Sequence, residues 1–174
     1  MEDINFAGNS NKMTDFLGKE WKYDCLGCAM GEKKVIPPGG MIYENEIVNL
    51  AQDPEIPIKG FFIVSVKRHV NSIIDLTKEE RYEVIELVNM AIKTIKDLGL
   101  TNEVTIVQEE RSKHLHIWIF PHYEWMSEKF GKGITYLRDI SSYAQENTTK
   151  EERDEIIDVV QKAKEYFKNY KFEL

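Results

Sequence analysis

Residues 114–120, HLHIWIF, have the pattern of a buried strand and include two of the chain's four histidines. Alternate side chains of a strand point to opposite faces. The residues of one face are apolar: Leu115, Ile117 and Ile119. The other face carries His114, His116 and Trp118, and its two imidazoles stand about 6–7 Å apart. Two histidines packed against a helix are one interpretation. Two in register, in a chain with four, favour a chemical role for this face.

The overall composition is that of an ordinary globular protein. With 174 residues, 42% hydrophobic and 30% charged, we predict a single domain over residues 1–174. No run approaches the roughly 20 apolar residues that span a bilayer, so no membrane association is expected. The N-terminal sequence MEDINFAGNSNKMTDF is acidic and polar, unlike a signal peptide, and a cytoplasmic location is expected.

The net charge of −7 restricts the partners that the surface can bind. A general nucleic-acid-binding protein needs a basic surface, so we expect no nucleic-acid partner. A small anionic ligand remains compatible with this charge, because a local group of donors can hold it.

Alternating and helical apolar patterns predict an α+β fold with an antiparallel sheet. The predicted strands are 41–44, 45–52, 61–67, 103–110 and 114–120. A long helix follows the third strand: Thr77 and Glu80 form a capping box at its start, and Gly99 ends it. Thr149 and Glu152 begin a C-terminal helix in the same way. Residues 1–20 are expected to wrap over the domain with partial order.

Cys25 and Cys28 are the chain's two cysteines, in the sequence DCLGC. Without an export signal, such a pair is typical of a metal or redox site. Two thiolates supply half of a tetrahedral zinc site, and histidines would be the natural remaining ligands. A redox pair and two unrelated thiols are the alternatives. We expect a glycine-containing knuckle here, because a thioredoxin-like pair normally follows a strand and opens a helix.

These motifs together resemble the histidine triad superfamily of nucleotidyl hydrolases and transferases. HLHIWIF is similar to the family signature, and DPEIPIKGFFIVSVKRHVNSIIDLTKEE is similar to its strand-to-helix segment. DCLGC and MIYENE resemble the cysteine knuckle and following strand of the zinc-bearing members. The resemblance covers roughly residues 23–123, which leaves 124–174 as a C-terminal extension with a helix. It implies the histidine triad fold.

The resemblance also implies roles for individual residues. The ligands of a structural Zn²⁺ would be Cys25, Cys28, His69 and His114. His116 falls on the position of the nucleophile, which forms a nucleotidyl-histidine intermediate. Asp53 falls on the position of the acid that binds the ribose hydroxyls, although an aspartate before Pro54 is also a common turn element. Gln108 falls on the position of the polar residue that hydrogen-bonds the phosphate.

Two departures from the family pattern affect the phosphate side of the site. Trp118 replaces the third histidine, and an indole is a donor that cannot act as a general acid or base. The loop before the signature is shorter and charged, so we expect Arg111, Ser112 and Lys113 to replace its phosphate donors. His122 follows Pro121 and is a further candidate for the phosphate side. Each of these residues has the alternative of a solvated or packing role.

The resulting expectation is a diadenosine polyphosphate hydrolase-like enzyme that acts on the α-phosphate of nucleotide anhydrides. Transfer to phosphate or to a sugar phosphate is one alternative to hydrolysis. A zinc-stabilised nucleotide-binding protein without catalytic activity is another. As in many family members, we expect a homodimer formed through the first long helix and an adjacent strand edge.

Overall fold

A five-stranded antiparallel sheet lies at the centre of the protein in a computed structural model, which describes residues 12–168. Its strands are β3 (Tyr43–Glu44), β4 (Val48–Gln52), β5 (Phe62–Val66), β6 (Val104–Gln108) and β7 (His116–Pro121), in the order β3-β4-β5-β7-β6. A separate hairpin precedes it, formed by β1 (Lys12–Thr14) and β2 (Glu20–Lys22). The sheet confirms the predicted α+β fold class.

Five α-helices surround the sheet in the described residues. They are α1 (Leu26–Gly31), α2 (Lys78–Asp97), α3 (Glu124–Lys129), α4 (Leu137–Asn147) and α5 (Lys150–Lys168). Short 3₁₀ turns at Ile73–Asp75 and Ile134–Tyr136 lead into α2 and α4. Within residues 12–168, no helix combines the length and the apolar character needed to cross a membrane.

One face of the sheet packs against α2 and α5. Every second residue of β5 and β7 points into this core, and α2 and α5 contribute its other side. Its most buried members include Leu50, Phe62, Leu87, Ile95, Leu115, Ile119, Val160 and Ala163. Because the strand and helix periodicities both direct apolar residues here, this face is closed by apolar packing.

The other face is covered by several smaller elements. Met13 of the hairpin and Ala29 and Met30 of α1 pack on Ala51 of β4. A second apolar cluster lies near α3 and α4, with Phe61, Phe120, Met126, Leu137, Ile140 and Ala144. The cover is therefore discontinuous, and the middle of β6 and β7 is left partly open.

The predicted caps are confirmed. Thr77 and Glu80 exchange both bonds of a capping box, and Gly99 adopts φ 68° directly after the C-cap of α2. Thr149 and Glu152 form the same reciprocal pair at the start of α5.

The structure differs from the sequence predictions in three local features. β7 begins at His116 and not at His114, because Leu115 donates its backbone N–H to Val70 outside the strand ladder. The cysteine segment, where we expected a glycine-containing knuckle, opens a short helix with Cys25 at the N-cap of α1. The helices α3 and α4 were not predicted at all. Of the segment expected to wrap over the domain, residues 12–20 lie in the β1-β2 hairpin, and residues 1–11 lie outside the described part.

Candidate functional site

Four side chains from three separate segments form a compact cluster suited to a metal ion. The thiols of Cys25 and Cys28 and the Nδ1 atoms of His69 and His114 all lie within 4.8 Å of one another. The four sulfur-to-nitrogen distances are 3.2–3.5 Å. A tetrahedral Zn²⁺ with ordinary Zn–S and Zn–N bonds would give edges of about 3.6 Å. The donor set and its dimensions therefore fit zinc.

The surroundings of the cluster also fit metal binding. His114 donates Nε2–H to the Val66 carbonyl at 2.7 Å, and this bond leaves the Nδ1 lone pair facing the sulfurs. Gly27 lies directly over the ring, where an added Cβ would come within 2.4 Å of it. Burial and the neighbouring Cys25 raise the pKa of the Cys28 thiol to about 11. Two thiolates at neutral pH therefore need a nearby cation.

The cluster is joined directly to His116. The Nδ1 atom of His116 donates to the backbone carbonyl of His114 at 3.0 Å, since a carbonyl can only accept. The bond fixes the tautomer and leaves Nε2 with the lone pair. Burial lowers the pKa of His116, because desolvation disfavours the imidazolium, and the neutral ring is the main form at neutral pH.

A cavity of about 750 Å³ lies beside His116, within the size range of small-molecule sites. Its walls come from β6 and β7, from the loop after β4, and from α4 with its preceding turn. The polar residues among its walls are Asp53, Glu55, Gln108, Glu109, Ser112, His116, Trp118, Thr135, Arg138, Ser141, Ser142 and Gln145.

Asp53 combines a turn role with a place in the cavity wall. Its Oδ1 accepts backbone N–H bonds from Glu55 at 2.8 Å and Ile56 at 2.7 Å, which is an Asx turn. Burial raises the pKa of this carboxyl to about 7, against the lowering effect of the two backbone bonds. The structure is compatible with both interpretations that the sequence left open.

Gln108, Ser112 and Trp118 reach the same cavity. The Nε2 atom of Gln108 is buried and has no hydrogen-bond partner among the described residues, so it is a donor available to a ligand. The Ser112 hydroxyl lies within bonding distance of the carbonyls of Glu109 and His114. Trp118 packs edge-to-face on Phe61, with centroids 5.2 Å apart, and its ring lies 6.3 Å from that of His116.

Three predicted substrate-binding residues do not line the cavity. Arg111 and Lys113 are exposed, and Arg111 lies 3.8 Å from the Glu109 carboxylate. The connection between β6 and β7, residues 109–115, is longer than the predicted three-residue turn, and the cavity lining does not include these two side chains. His122 bonds Thr105 at 2.7 Å and lines a separate depression.

The contribution of α4 was missed from the sequence. Arg138, Ser142 and Gln145 line the cavity from a helix within the C-terminal extension. The spacing of Leu137, Ile140 and Ala144 is helical and was the available signal. It was missed because α4 lacks the side-chain cap that marks α2 and α5.

Comparison with known proteins identifies the fold. Neither the family models nor the curated proteins give a match to this sequence. Among solved structures, a hypothetical histidine triad nucleotide-binding protein from Sulfolobus tokodaii matches with a TM-score of 0.60 at 19% identity, covering 86% of this chain and 100% of that one. The chain therefore has the histidine triad fold, as the sequence predicted.

Two further structures carry informative descriptions. A Zn-bound histidine triad family protein from Mycobacterium smegmatis has a TM-score of 0.59 at 15% identity, covering 83% of this chain and 96% of that one. A diadenosine triphosphate hydrolase from Plasmodium falciparum, in complex with Cyclomarin A, has a TM-score of 0.53 at 14% identity, covering 76% and 79%. At these identities the likeness establishes the fold.

Proposed function

We propose that the protein is a nucleotidyl hydrolase or transferase with His116 as its nucleophile. The observation that carries the proposal is the position of this residue. It lines the cavity, and its Nδ1 atom is held by the His114 carbonyl, so Nε2 is the available lone pair. A neutral imidazole that is fixed on a strand can attack a phosphorus atom with little further loss of conformational entropy.

In the proposed first step, Nε2 of His116 forms a bond to the α-phosphorus of a nucleotide anhydride. The bond from phosphorus to the leaving-group oxygen breaks, and the leaving group departs with the electron pair. In the second step an acceptor oxygen attacks the same phosphorus and releases the imidazole. Water gives hydrolysis, and phosphate or a sugar phosphate gives transfer.

The neighbouring polar groups support binding and orientation in this scheme. The Nε2 atom of Gln108 would donate to an oxygen of the α-phosphate, which would satisfy a buried donor that lacks a partner. The Asp53 carboxyl would bind the ribose hydroxyls through the oxygen that the Asx turn does not use. The Trp118 indole would provide a further donor along the cavity, while the Ser112 hydroxyl would hold the loop through its bond to a backbone carbonyl.

We assign the cysteine–histidine cluster a structural zinc. When bound, Zn²⁺ would cross-link the α1 segment to the chain just before β7 and would supply no step of the reaction. His114 serves both parts of the molecule, because its ring is a ligand and its carbonyl holds His116. The metal would thereby keep the nucleophile in position.

Diadenosine polyphosphates are the substrates that we propose first. The Plasmodium falciparum protein of the same fold is described as a diadenosine triphosphate hydrolase, and this description motivates the choice. Product analysis with diadenosine polyphosphates, with and without added phosphate, would identify the acceptor. We expect nucleoside monophosphate as the product in both conditions, and a phosphate-dependent nucleoside diphosphate would indicate a phosphorylase instead.

Trapping of the covalent intermediate separates catalysis from simple binding. Brief incubation with a radiolabelled substrate followed by acid-free denaturation should leave label on wild-type protein and none on His116→Ala. Nucleotide binding without label or turnover would contradict the catalytic proposal and favour a nucleotide-binding protein.

We also propose a homodimer formed through α2. Its outer side and the preceding turn expose large apolar side chains: Ile74 at 83%, Tyr82 at 53% and Ile85 at 59%. Tyr82 and Ile85 are three residues apart and share one side of α2, where a second copy of the chain would cover them. Sedimentation at micromolar concentration should give the dimer mass, and Ile85→Glu should shift the protein to the monomer. A monomer mass for the wild type would contradict the proposal.

A further inference from the structure

Most of the ionisable side chains that line the cavity are acidic and would repel an anionic ligand. Carboxyl groups approach it from the walls: Asp53, Glu55 and Glu109. Among the described lining residues, Arg138 is the only permanently cationic side chain. A nucleotide carrying several phosphates would otherwise meet mainly negative charge. Arg138 is therefore the described lining side chain whose charge complements a polyphosphate chain.

Two residues of helix α4, Gln145 and Arg138, lie at different ends of the cavity. At its C-terminal end, Gln145 Nε2 donates to the Glu55 carbonyl at 3.5 Å, which joins α4 to the loop that contains Asp53. Arg138 lies seven residues earlier, in the first turn of α4. At the rise of an α-helix this separation is about 10 Å. The cavity thus has an acidic end near Asp53 and a cationic end near Arg138.

The start of α4 adds to the cationic end. The preceding 3₁₀ turn continues into this helix, and its Ile134 carbonyl accepts from the Leu137 N–H. The helix dipole nevertheless favours an anion at this end. The dipole and the Arg138 guanidinium therefore act in the same direction.

We propose that Arg138 binds the phosphates beyond the α-phosphate and so selects nucleotides with a polyphosphate chain over nucleoside monophosphates. The proposal rests on the proposed function of the cavity, with ribose at the Asp53 end and the reacting phosphorus at His116. The C-terminal extension then contributes the specificity of the site, while the strands contribute the nucleophile.

The experiment is a calorimetric titration of the full-length protein with AMP and with α,β-methylene ATP, which resists cleavage at the α-phosphate. Wild-type protein should bind the triphosphate analogue at least about tenfold more tightly than AMP. Arg138→Gln should reduce this ratio by about tenfold, through weaker triphosphate binding, while the Kd for AMP stays within about threefold. Arg138→Lys should retain part of the preference, because it keeps the charge and loses the planar guanidinium.

Lys129→Gln is the matched control, since it removes one positive charge from the same C-terminal segment. Lys129 lies 4.3 Å from the ring centroid of Tyr143 and lines a different depression. This variant should keep the wild-type ratio. Thermal melting of each variant shows whether its fold is intact. If Arg138→Gln misfolds, the affinity ratios of the wild type and of Arg138→Lys provide the test.

Some outcomes would overturn the proposal. Equal wild-type affinities for the two nucleotides would contradict it, as would an Arg138→Gln variant that weakens both equally or neither. The proposed catalytic function fails separately. If both nucleotides bind but no adduct forms on His116, catalysis is contradicted while the affinity ratio still tests Arg138. Binding of neither nucleotide would overturn both.

Discussion

Neighbouring residues of β7 point to opposite faces of the sheet, and the two faces differ in burial and in the elements that cover them. Ile119 is completely buried against the α2 and α5 core, whereas Trp118 is half-buried and lines the cavity. One face is closed by two long, well-capped helices. The other is covered by a hairpin and shorter helices that leave a gap. The comparison shows that the closed core and the open cavity lie on opposite sides of a single strand.

The largest effect is expected from removal of a metal ligand. Cys28→Ser should lose the metal and much of the stability, because the remaining ligands are then held apart without an ion. Wild-type protein purified without chelator should contain about one zinc per chain, and the variant less than half. Asp24→Asn, an exposed neighbour of the cluster, should keep the metal. Wild-type protein with less than half an equivalent would count against the zinc assignment.

The second-largest effect is expected on turnover, from a change at His116 on the face of β7 that lines the cavity. His116→Ala should reduce turnover of diadenosine polyphosphates by at least about a thousandfold, because no other group replaces the nucleophile. The fold and the zinc content should be retained, since His116 is not a ligand. Steady-state rates, metal analysis and a denaturant titration together check this prediction. Substantial residual turnover would rule out His116 as the nucleophile.

A substitution on the core face of β7 should lower stability and leave activity nearly unchanged. Ile119→Ala should lower the free energy of unfolding by about 2–5 kcal/mol, because it opens a cavity in a closed core. The activity of each folded molecule should change little, as this side chain points away from the ligand. Denaturant midpoints and rates measured under fully folded conditions provide the check. A large loss of activity at full folding would mean that the two faces are not independent.

A pH-dependent effect is expected at Asp53. Burial raises the pKa of its carboxyl to about 7, so the folded state binds more protons than the unfolded chain between about pH 4 and pH 7. The contribution of Asp53 to stability therefore decreases as pH rises through this window. Asp53→Asn cannot ionise and keeps an oxygen for the Asx turn. Relative to wild type it should gain about 2–3 kcal/mol between pH 5 and pH 8.

Unfolding free energies at these two pH values test the Asp53 prediction. Glu55 lies nearby, and its own charge raises the Asp53 pKa further, so Glu55→Gln should reduce the difference. A stability difference independent of pH would show that Asp53 ionises normally in the folded protein.

The sequence was informative wherever a local pattern had one physical solution. The capping boxes at Thr77 and Thr149 predicted both long helices, and the alternation in β7 predicted its apolar face. The proximity of Cys25, Cys28, His69 and His114 was expected from the family resemblance. In contrast, Arg111 and Lys113 were expected to bind phosphate because of their charge, and the direction of a loop side chain is not encoded locally. Arg138 was missed because its helix has no cap and reaches the cavity through tertiary packing.

The smallest effect on turnover is expected at Trp118, which stands where the histidine triad pattern has its third histidine. Its indole has no basic nitrogen, so it cannot deliver a proton to a leaving group. A polyphosphate leaving group needs little protonation, whereas an amine needs more. We therefore expect faster turnover of diadenosine polyphosphates than of adenosine phosphoramidates. Trp118→Phe keeps an aromatic ring near Phe61 and removes one donor, so turnover should fall by about tenfold or less, equivalent to about 1.4 kcal/mol. Faster turnover of the phosphoramidate by wild-type protein would contradict this account of the missing histidine.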